Sequence, residues 1–208
     1  MKNLLAIITM MIAAASASPA QISFGGGAHS GLAFTSFPKP TNEFYAIGFG
    51  GGVHGDLNLL PFLSTRVSVD YNLFPSDKTK LKSQFTVRDG NGNVTNNFTV
   101  EGANVSILGI TANVLGEIPT GSAVQPYGIF GLGLQILNQS DLKVVADGQT
   151  LLQQSGGSSD TNFGLNFGAG VQFGLGRRTH LFIESKYALI FTKGETSSYI
   201  PVTLGVSF

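Results

Sequence analysis

Cysteine and tryptophan are both missing from this chain of 208 residues, and charged residues are scarce. Without cysteine the chain has no disulfide framework, no thiolate metal site and no cysteine nucleophile. It also lacks the cysteine that is acylated in a lipoprotein. Only 12% of the residues are charged, which is about half the usual share of a soluble globular domain. The 12 acidic and 12 basic residues balance, so nothing in the composition indicates a nucleic-acid partner.

Glycine and phenylalanine are abundant, with 28 and 16 residues respectively. Low charge with high glycine content also occurs in disordered chains. However, the many Phe, Val, Leu and Ile residues favour packed β-strands over disorder. We therefore expect a single all-β domain, since the chain is too short for two ordinary domains.

The first twenty residues form a separate segment with the three-part pattern of a secretory signal peptide. Lys2 gives a positive start, an apolar run extends from Leu4 to Ala15, and small residues follow it. This pattern predicts cleavage after Ala17 or after Ala20. The apolar run is shorter than the roughly 20 residues that a spanning helix needs. We therefore predict a signal peptide over residues 1–20 and a mature domain over residues 21–208.

Strict alternation of apolar and polar or small residues predicts β-strands along the mature chain. The clearest run extends from Phe163 to Leu175, where every odd position is apolar and glycine, Asn or Gln lies between. In the fourth strand both faces are apolar, so its register is less certain. Eight strands are predicted in all, at about 21–35, 44–59, 63–73, 102–116, 126–138, 163–175, 180–191 and 199–208.

The lengths of the connections also alternate along the chain. Short links at 60–62, 117–125 and 176–179 fall at one end of the strands, and long links at 36–43, 74–101, 139–160 and 192–198 fall at the other. Outer-membrane barrels have short periplasmic turns and longer extracellular loops. Asp89-Gly90 and Asp147-Gly148 predict hairpins inside the two longest loops. We expect these hairpins to stand above the membrane, although they leave open one or two extra strands.

The chemistry of the two strand faces separates a membrane barrel from a soluble one. The bulky apolar face would not fit inside a closed barrel of eight strands, whose interior barely holds side chains. The glycine-rich polar face would fit there. We therefore predict a closed antiparallel up-and-down transmembrane β-barrel whose apolar side chains face lipid and whose charges line the lumen. Tyr45, Tyr71, Tyr127 and Tyr199 lie towards strand ends, where an interfacial aromatic girdle is expected.

Ionisable residues on the polar face are the candidate functional residues. We expect an ion-pair network that fills the closed lumen, with a gate as the less favoured interpretation and with Arg66 pairing with Asp70 or Glu184. The histidines lie on three strands, so packing in the lumen is favoured over a metal site, and no cofactor is predicted. The network residues are Asp56, Arg66, Asp70, Glu184 and Lys186, and the lumen histidines are His29, His54 and His180.

These features together resemble the small outer-membrane β-barrel family of the OmpA-transmembrane, OmpX and OmpW type. The chain ends in alternating apolar residues and a terminal Phe208, which is similar to the signal that the barrel assembly machinery recognises in that family. The resemblance therefore implies an assembly signal at Leu204, Val206 and Phe208. It also implies a location in the bacterial outer membrane, surrounded by lipid and lipopolysaccharide.

Three functions are compatible with such a barrel, because the fold alone does not determine function. The favoured hypothesis is a non-enzymatic, monomeric barrel that is structural or displays loops 74–101 and 139–160 to an extracellular ligand. A narrow porin-like channel for small or apolar solutes is the alternative. A lipid-modifying enzyme ranks last, because His180 and Glu184 share an inward strand face and no His-x-Ser motif occurs.

Overall fold

The computed structural model describes residues 23–36, 44–45, 47–88, 94–95, 97–146, 149–156, 159–176, 179–194 and 196–208. The signal peptide predicted over residues 1–20, and its cleavage position, lie outside the described residues. No helix in the described ranges is long and apolar enough to cross a membrane.

Eight long strands pair into one closed barrel, which confirms the predicted fold class. Every pair is antiparallel, and each barrel strand pairs with the barrel strands that come before and after it in the sequence. Closure joins the first strand to the last, and the backbones of Gly26 and Phe208 exchange two hydrogen bonds of 2.9 Å at the end of this seam. The barrel strands are β1 (Ser23–Thr35), β2 (Gly48–Leu60), β3 (Leu63–Phe74), β7 (Val105–Glu117), β8 (Val124–Gln139), β11 (Asp160–Gly174), β12 (His180–Phe191) and β13 (Thr196–Ser207).

Successive side chains of these strands point alternately out of the barrel and into it, as the period of a β-strand requires. On β12, for example, Leu181 and Ile183 are exposed on the outside, whereas Phe182 and Glu184 are buried inside. The register of β7 follows the predicted parity, with Ile110 and Val114 outward and Ile107 inward. The barrel is therefore apolar outside and largely polar inside.

The two ends of the barrel differ in the length of their connections. The turn end consists of the links 61–62, 118–123 and 175–179, together with the start of β1 and the end of β13. The links 36–47, 75–104, 140–159 and 192–195 form the loop end. Outer-membrane barrels have the same asymmetry, with short turns on the periplasmic side and longer loops on the outside.

The two longest loops fold together above the barrel, and the strands that flank the predicted hairpin turn of each loop pair with each other. We call their elements the loop platform: α1 (Lys78–Lys82), β4 (Val87–Arg88), β5 (Val94–Thr95), β6 (Thr99–Gly102), β9 (Leu142–Ala146) and β10 (Gln149–Gln154). A three-stranded sheet in the order β10-β9-β6 joins the two loops, and β4 and β5 form a separate pair. The short helix α1 begins beside Asp77, whose side chain accepts hydrogen bonds from the backbone N–H groups of Thr79 and Lys80.

The fourth barrel strand begins three residues later than the sequence suggests. Residues 102–104 do not continue into β7, because Gly102 and Ala103 both have positive φ angles, of 79° and 56°. This left-handed turn is unusual for alanine, and it separates the platform strand β6 from the barrel strand β7. The predicted hairpin turns at Asp89-Gly90 and Asp147-Gly148 lie outside the described residues. The strands that flank them do not enter the barrel.

Candidate functional site

Arg66 is the centre of an ion-pair network in the half of the lumen near the turn end. Its guanidinium donates to both carboxylate oxygens of Asp56, with Nε–Oδ1 and Nη2–Oδ2 distances of 2.7 and 3.0 Å. These two residues lie directly opposite each other in the register of β2 and β3. The third contact of Arg66 runs across the lumen from Nη1 to Oε2 of Glu184, at 3.4 Å. A planar guanidinium suits this bidentate arrangement.

Glu184 is almost fully buried and has three partners. The Tyr127 hydroxyl donates to its Oε2 at 2.9 Å, and Lys186 Nζ lies 3.2 Å from its Oε1. With Arg66, these contacts give the buried carboxylate two cations and a hydroxyl donor. A buried charge is tolerated only when it is paired in this way.

Asp70 pairs with His29 and not with Arg66, so one of the two expected partners of Arg66 is wrong. The distance from His29 Nε2 to Asp70 Oδ1 is 2.6 Å, and the Ser68 hydroxyl donates to the other oxygen at 2.8 Å. Asp70 is four positions beyond Arg66 on β3, which places it about 13 Å further along that strand in the direction of the loop end. Gly52 lies between His29 and Asp70 in the sheet, and a Cβ there would come within 3.0 Å of His29 Nε2.

The three predicted lumen histidines do not come together. His29 and His54 stack with ring centroids 5.9 Å apart, and the edge of the Phe182 ring packs against His54 at 5.5 Å. His180 lies instead at the mouth of the cavity at the turn end. In the described part of the chain, no group of three or more His, Cys, Asp or Glu side chains could hold a metal ion.

An apolar layer fills the lumen at the loop end, and the sequence did not reveal it. Phe74 and Tyr199 meet edge to face with ring centroids 5.8 Å apart, and Ile107 and Ile190 are fully buried beside them. We call this layer the lumen plug; its buried members are Ala33, Phe74, Ile107, Ala188, Ile190 and Tyr199. The inclusion of Tyr199 shows that its assignment to an interfacial girdle was wrong. Tyr127 is likewise buried inside the barrel, whereas Tyr71 is exposed on the outside.

Two layers, the ion-pair network and the lumen plug, divide the free space in the lumen. A cavity of about 750 Å³ opens at the turn end and extends inwards to Arg66. Beyond the ion pairs, the cavity beside Asp70 and Lys186 has a volume of only about 20 Å³, enough for roughly one water molecule. The lumen plug lies above that. The lumen thus narrows from the turn end and is filled at the loop end.

The loop platform has a small apolar core of its own. Phe98, Val100 and Val144 are buried in it, and Leu81 and Phe85 pack against them. The Lys82 ammonium lies over the Phe98 ring, 4.8 Å from its centroid, which is within the range of a cation–π interaction. Both long loops contribute to this core, so they form one folded unit.

The residues proposed as the assembly signal lie on the last barrel strand and just after it. Leu204 and Val206 are outward-facing on β13, and the Phe208 side chain is exposed beyond the end of that strand. This arrangement leaves an apolar outer face at the seam where β13 meets β1.

A family model described as "Outer membrane protein beta-barrel domain" matches residues 4–208 of the sequence. The chain belongs to this family. Family and fold together place the protein in the bacterial outer membrane, with its strands crossing the bilayer. A search of curated proteins found no match.

The solved structures that are similar to this barrel include two outer-membrane proteins. Neisserial surface protein A has 18% sequence identity and a TM-score of 0.55, over 89% of this chain and 97% of that one. A major outer membrane protein from Thermus thermophilus has 13% identity and a TM-score of 0.52, over 89% of this chain and 99% of that one. At these identities the likeness establishes the fold alone.

Proposed function

We propose that this protein is a non-enzymatic outer-membrane barrel that displays the loop platform to a partner outside the cell. The observation that carries this proposal is the shared core of the two long loops, in which Phe98 and Val100 pack with Val144. Long loops without such a core would be expected to be mobile and of variable structure. A folded surface held above the membrane is better suited to specific recognition, because less conformational entropy is lost on binding.

The contents of the lumen favour display over transport. Phe74, Ile107, Ile190 and Tyr199 are at most 3% exposed, and they occupy the end of the lumen through which a solute would have to leave. Below them, Arg66 bridges β3 to β12 through Glu184. A conducting pathway would require the displacement of both layers at once.

The buried acid and base groups also support a non-enzymatic role. A hydrolytic site needs a nucleophile beside a base that a third group orients. Glu184 is held by Arg66, Lys186 and Tyr127, and His180 lies apart from it at the mouth of the lumen. The Glu184 carboxylate therefore has a structural role, and it does not orient the His180 ring.

We infer further that the barrel works as a monomer in lipid and lipopolysaccharide. Closure through the β1–β13 pair leaves none of the eight described barrel strands with a free edge for pairing with a second copy. The outward apolar band is what a bilayer requires, and assembly through the terminal Leu204, Val206 and Phe208 is consistent with their exposure at the seam.

Adhesion of intact cells tests the display proposal. Cells that express the wild-type barrel should bind to host-cell monolayers or immobilised matrix proteins more than cells with an empty vector. Replacement of residues 78–99 and 141–158 by short Gly-Ser turns should reduce binding to the vector level. The matched control replaces residues 118–123 at the turn end and should leave binding unchanged. Heat-modifiable gel migration verifies that every variant forms a barrel.

Two results would contradict the display role. One is wild-type adhesion that survives loss of both loops. The other is reproducible single-channel opening of the wild-type protein in planar bilayers, which would favour the channel hypothesis instead. An altered lipid A mass spectrum on expression would favour the enzyme hypothesis.

A further inference from the structure

A cavity of about 260 Å³ lies at the loop end. It is lined by residues of the first loop (36–47), the second loop (75–104) and the third loop (140–159), and by the end of β8. The apolar part of its lining is formed by Phe44, Tyr45, Leu81 and Leu142. The rest of the lining is polar but uncharged, and Gln139, Gln154 and Ser155 in it are exposed. The volume is just below the range of about 300–1,000 Å³ that is usual for drug-sized ligands, so it suits a single ring.

The walls of this cavity are held in place before any ligand binds. The first loop is joined to the second by a hydrogen bond of 2.7 Å from Asp77 N–H to the Phe44 carbonyl. The second is joined to the third by a hydrogen bond of 3.1 Å from Ala103 N–H to the Asp141 carbonyl. Within the third loop, the Asp141 carboxylate accepts from Gly156 N–H at 3.1 Å. Binding sites for small molecules are usually preformed in this way.

The chemistry of the lining selects among ligand classes. None of the described residues that line the cavity has a charged side chain, so a phosphate, sulfate or carboxylate would lose its hydration without gaining an ion pair. An acyl chain would bury the amide and hydroxyl groups of the lining without hydrogen bonds, which is also unfavourable. A neutral ligand with one apolar face and several hydroxyl groups can contact both the apolar and the polar residues of this lining.

We propose that this cavity binds one neutral pyranose ring of a carbohydrate. The C–H face of the sugar would pack on Phe44 and Tyr45, whose ring faces carry partial negative charge. Its hydroxyl groups would exchange hydrogen bonds with Gln139, Gln154 and Ser155, since each amide supplies both donors and acceptors. This inference rests on the display function proposed above, because it specifies the class of partner that the loop end recognises.

Saturation-transfer difference NMR on the purified barrel in lipid nanodiscs tests this site. The probes are the methyl glycosides of glucose, galactose and N-acetylglucosamine, with methyl glucuronide as the charged comparison. We expect at least one neutral glycoside to bind with millimolar affinity, as is usual for so small a ligand, and the glucuronide to bind more weakly. Competition experiments would then present the same neutral sugar either on a soluble oligosaccharide or on a glycolipid in the nanodisc. The molecule that displaces the methyl glycoside is the one that the site accepts.

Two variants locate the binding to this cavity. Gln154→Leu removes a donor and an acceptor from the lining and should weaken binding by about fivefold. Ser155→Trp fills the opening and should abolish the signal. The matched control is Gln84→Leu after α1, whose side chain is exposed and does not line the cavity. Its affinity should equal that of the wild type.

The proposal is overturned if no neutral glycoside gives a signal at about 20 mM, well above the expected millimolar range. It is also overturned if Ser155→Trp binds as the wild type does, or if the glucuronide binds more tightly than every neutral sugar. Failure here is distinguishable from failure of the display function, because platform-dependent adhesion would persist with a partner that makes no use of this cavity.

Discussion

The barrel and the loop platform place their apolar side chains on opposite sides of their sheets. In the barrel, Leu132 and Ile183 are exposed on the outside, and Arg66 lies within. In the platform, Phe98 and Val144 are buried between the elements. The same pairing rules operate in both regions, but lipid surrounds the barrel and water surrounds the platform. The surrounding solvent therefore decides which face of a strand is apolar.

Loss of the central lumen cation is the strongest way to test the barrel side of this comparison. Arg66→Met should lower the free energy of unfolding by about 3–5 kcal/mol, because it leaves Asp56 buried without its cation and leaves Glu184 with Lys186 as its remaining cation. Urea-induced unfolding in lipid vesicles measures the effect. Adding Asp56→Asn should restore much of the loss, since Glu184 still pairs with Lys186 and no uncompensated charge remains.

The control for this change lies in the platform. Lys80→Met removes an ion pair of 3.7 Å to Asp77 in which Lys80 is 59% exposed. Exposed pairs contribute little to stability, so no measurable change is expected. If Arg66→Met were as mild as Lys80→Met, the lumen network would not stabilise the barrel.

A single charge placed on the outer face tests which solvent each region meets. Leu132→Arg puts a cation in the middle of β8, facing lipid, and should cost about 2–4 kcal/mol. Leu151→Arg makes the same change on the exposed surface of the platform and should be nearly neutral. Equal effects in vesicle unfolding experiments would contradict the assignment of lipid to one surface and water to the other.

The platform core should be able to open while the barrel stays folded. Val144→Ala removes buried volume and should destabilise the platform by about 2 kcal/mol, which is about a 30-fold increase in the open population. Trypsin cleavage within the loops of intact cells should accelerate accordingly. Gel migration of the barrel should remain heat-modifiable. Loss of barrel formation would show that the two regions are not separate units.

The smallest effect concerns the contact between Lys82 and Phe98. Lys82→Met should cost about 0.5–1 kcal/mol, the usual range for a cation–π pair with partial exposure. The same protease assay measures it, and Lys78→Met on the exposed side of α1 is the control. A Lys82→Met effect no larger than that of Lys78→Met would remove the cation–π contact from the account.

Most of the barrel could be predicted from the sequence because its period is short and regular. The alternation from Phe163 to Leu175 predicts a strand that the structure places at Asp160–Gly174. Parity also placed Arg66 and Glu184 inside. These inferences need only the order of residues within a strand, and they do not depend on how strands are staggered.

Features that depend on contacts between distant strands were not predictable in the same way. Asp70 on β3 pairs with His29 on β1 across the intervening strand β2, and alternation within a strand does not give that contact. The pairing of β6 with β9 joins two loops about forty residues apart. Phe74 shares the parity of Arg66 on β3, but parity does not show that it meets Tyr199 of β13 in the lumen plug. Both faces of β7 are apolar, so alternation does not identify Ile107 as a lumen residue.

The absence of tryptophan allows the central claim to be tested at two adjacent positions. In lipid vesicles with brominated acyl chains, Trp fluorescence should be strongly quenched in Ile183→Trp, whose side chain faces outwards. It should be little affected in Phe182→Trp, whose side chain lies in the lumen beside His54 and Arg66. Strong quenching of Phe182→Trp with a protected Ile183→Trp, or equal quenching of both, would contradict an apolar exterior in lipid around a filled polar lumen.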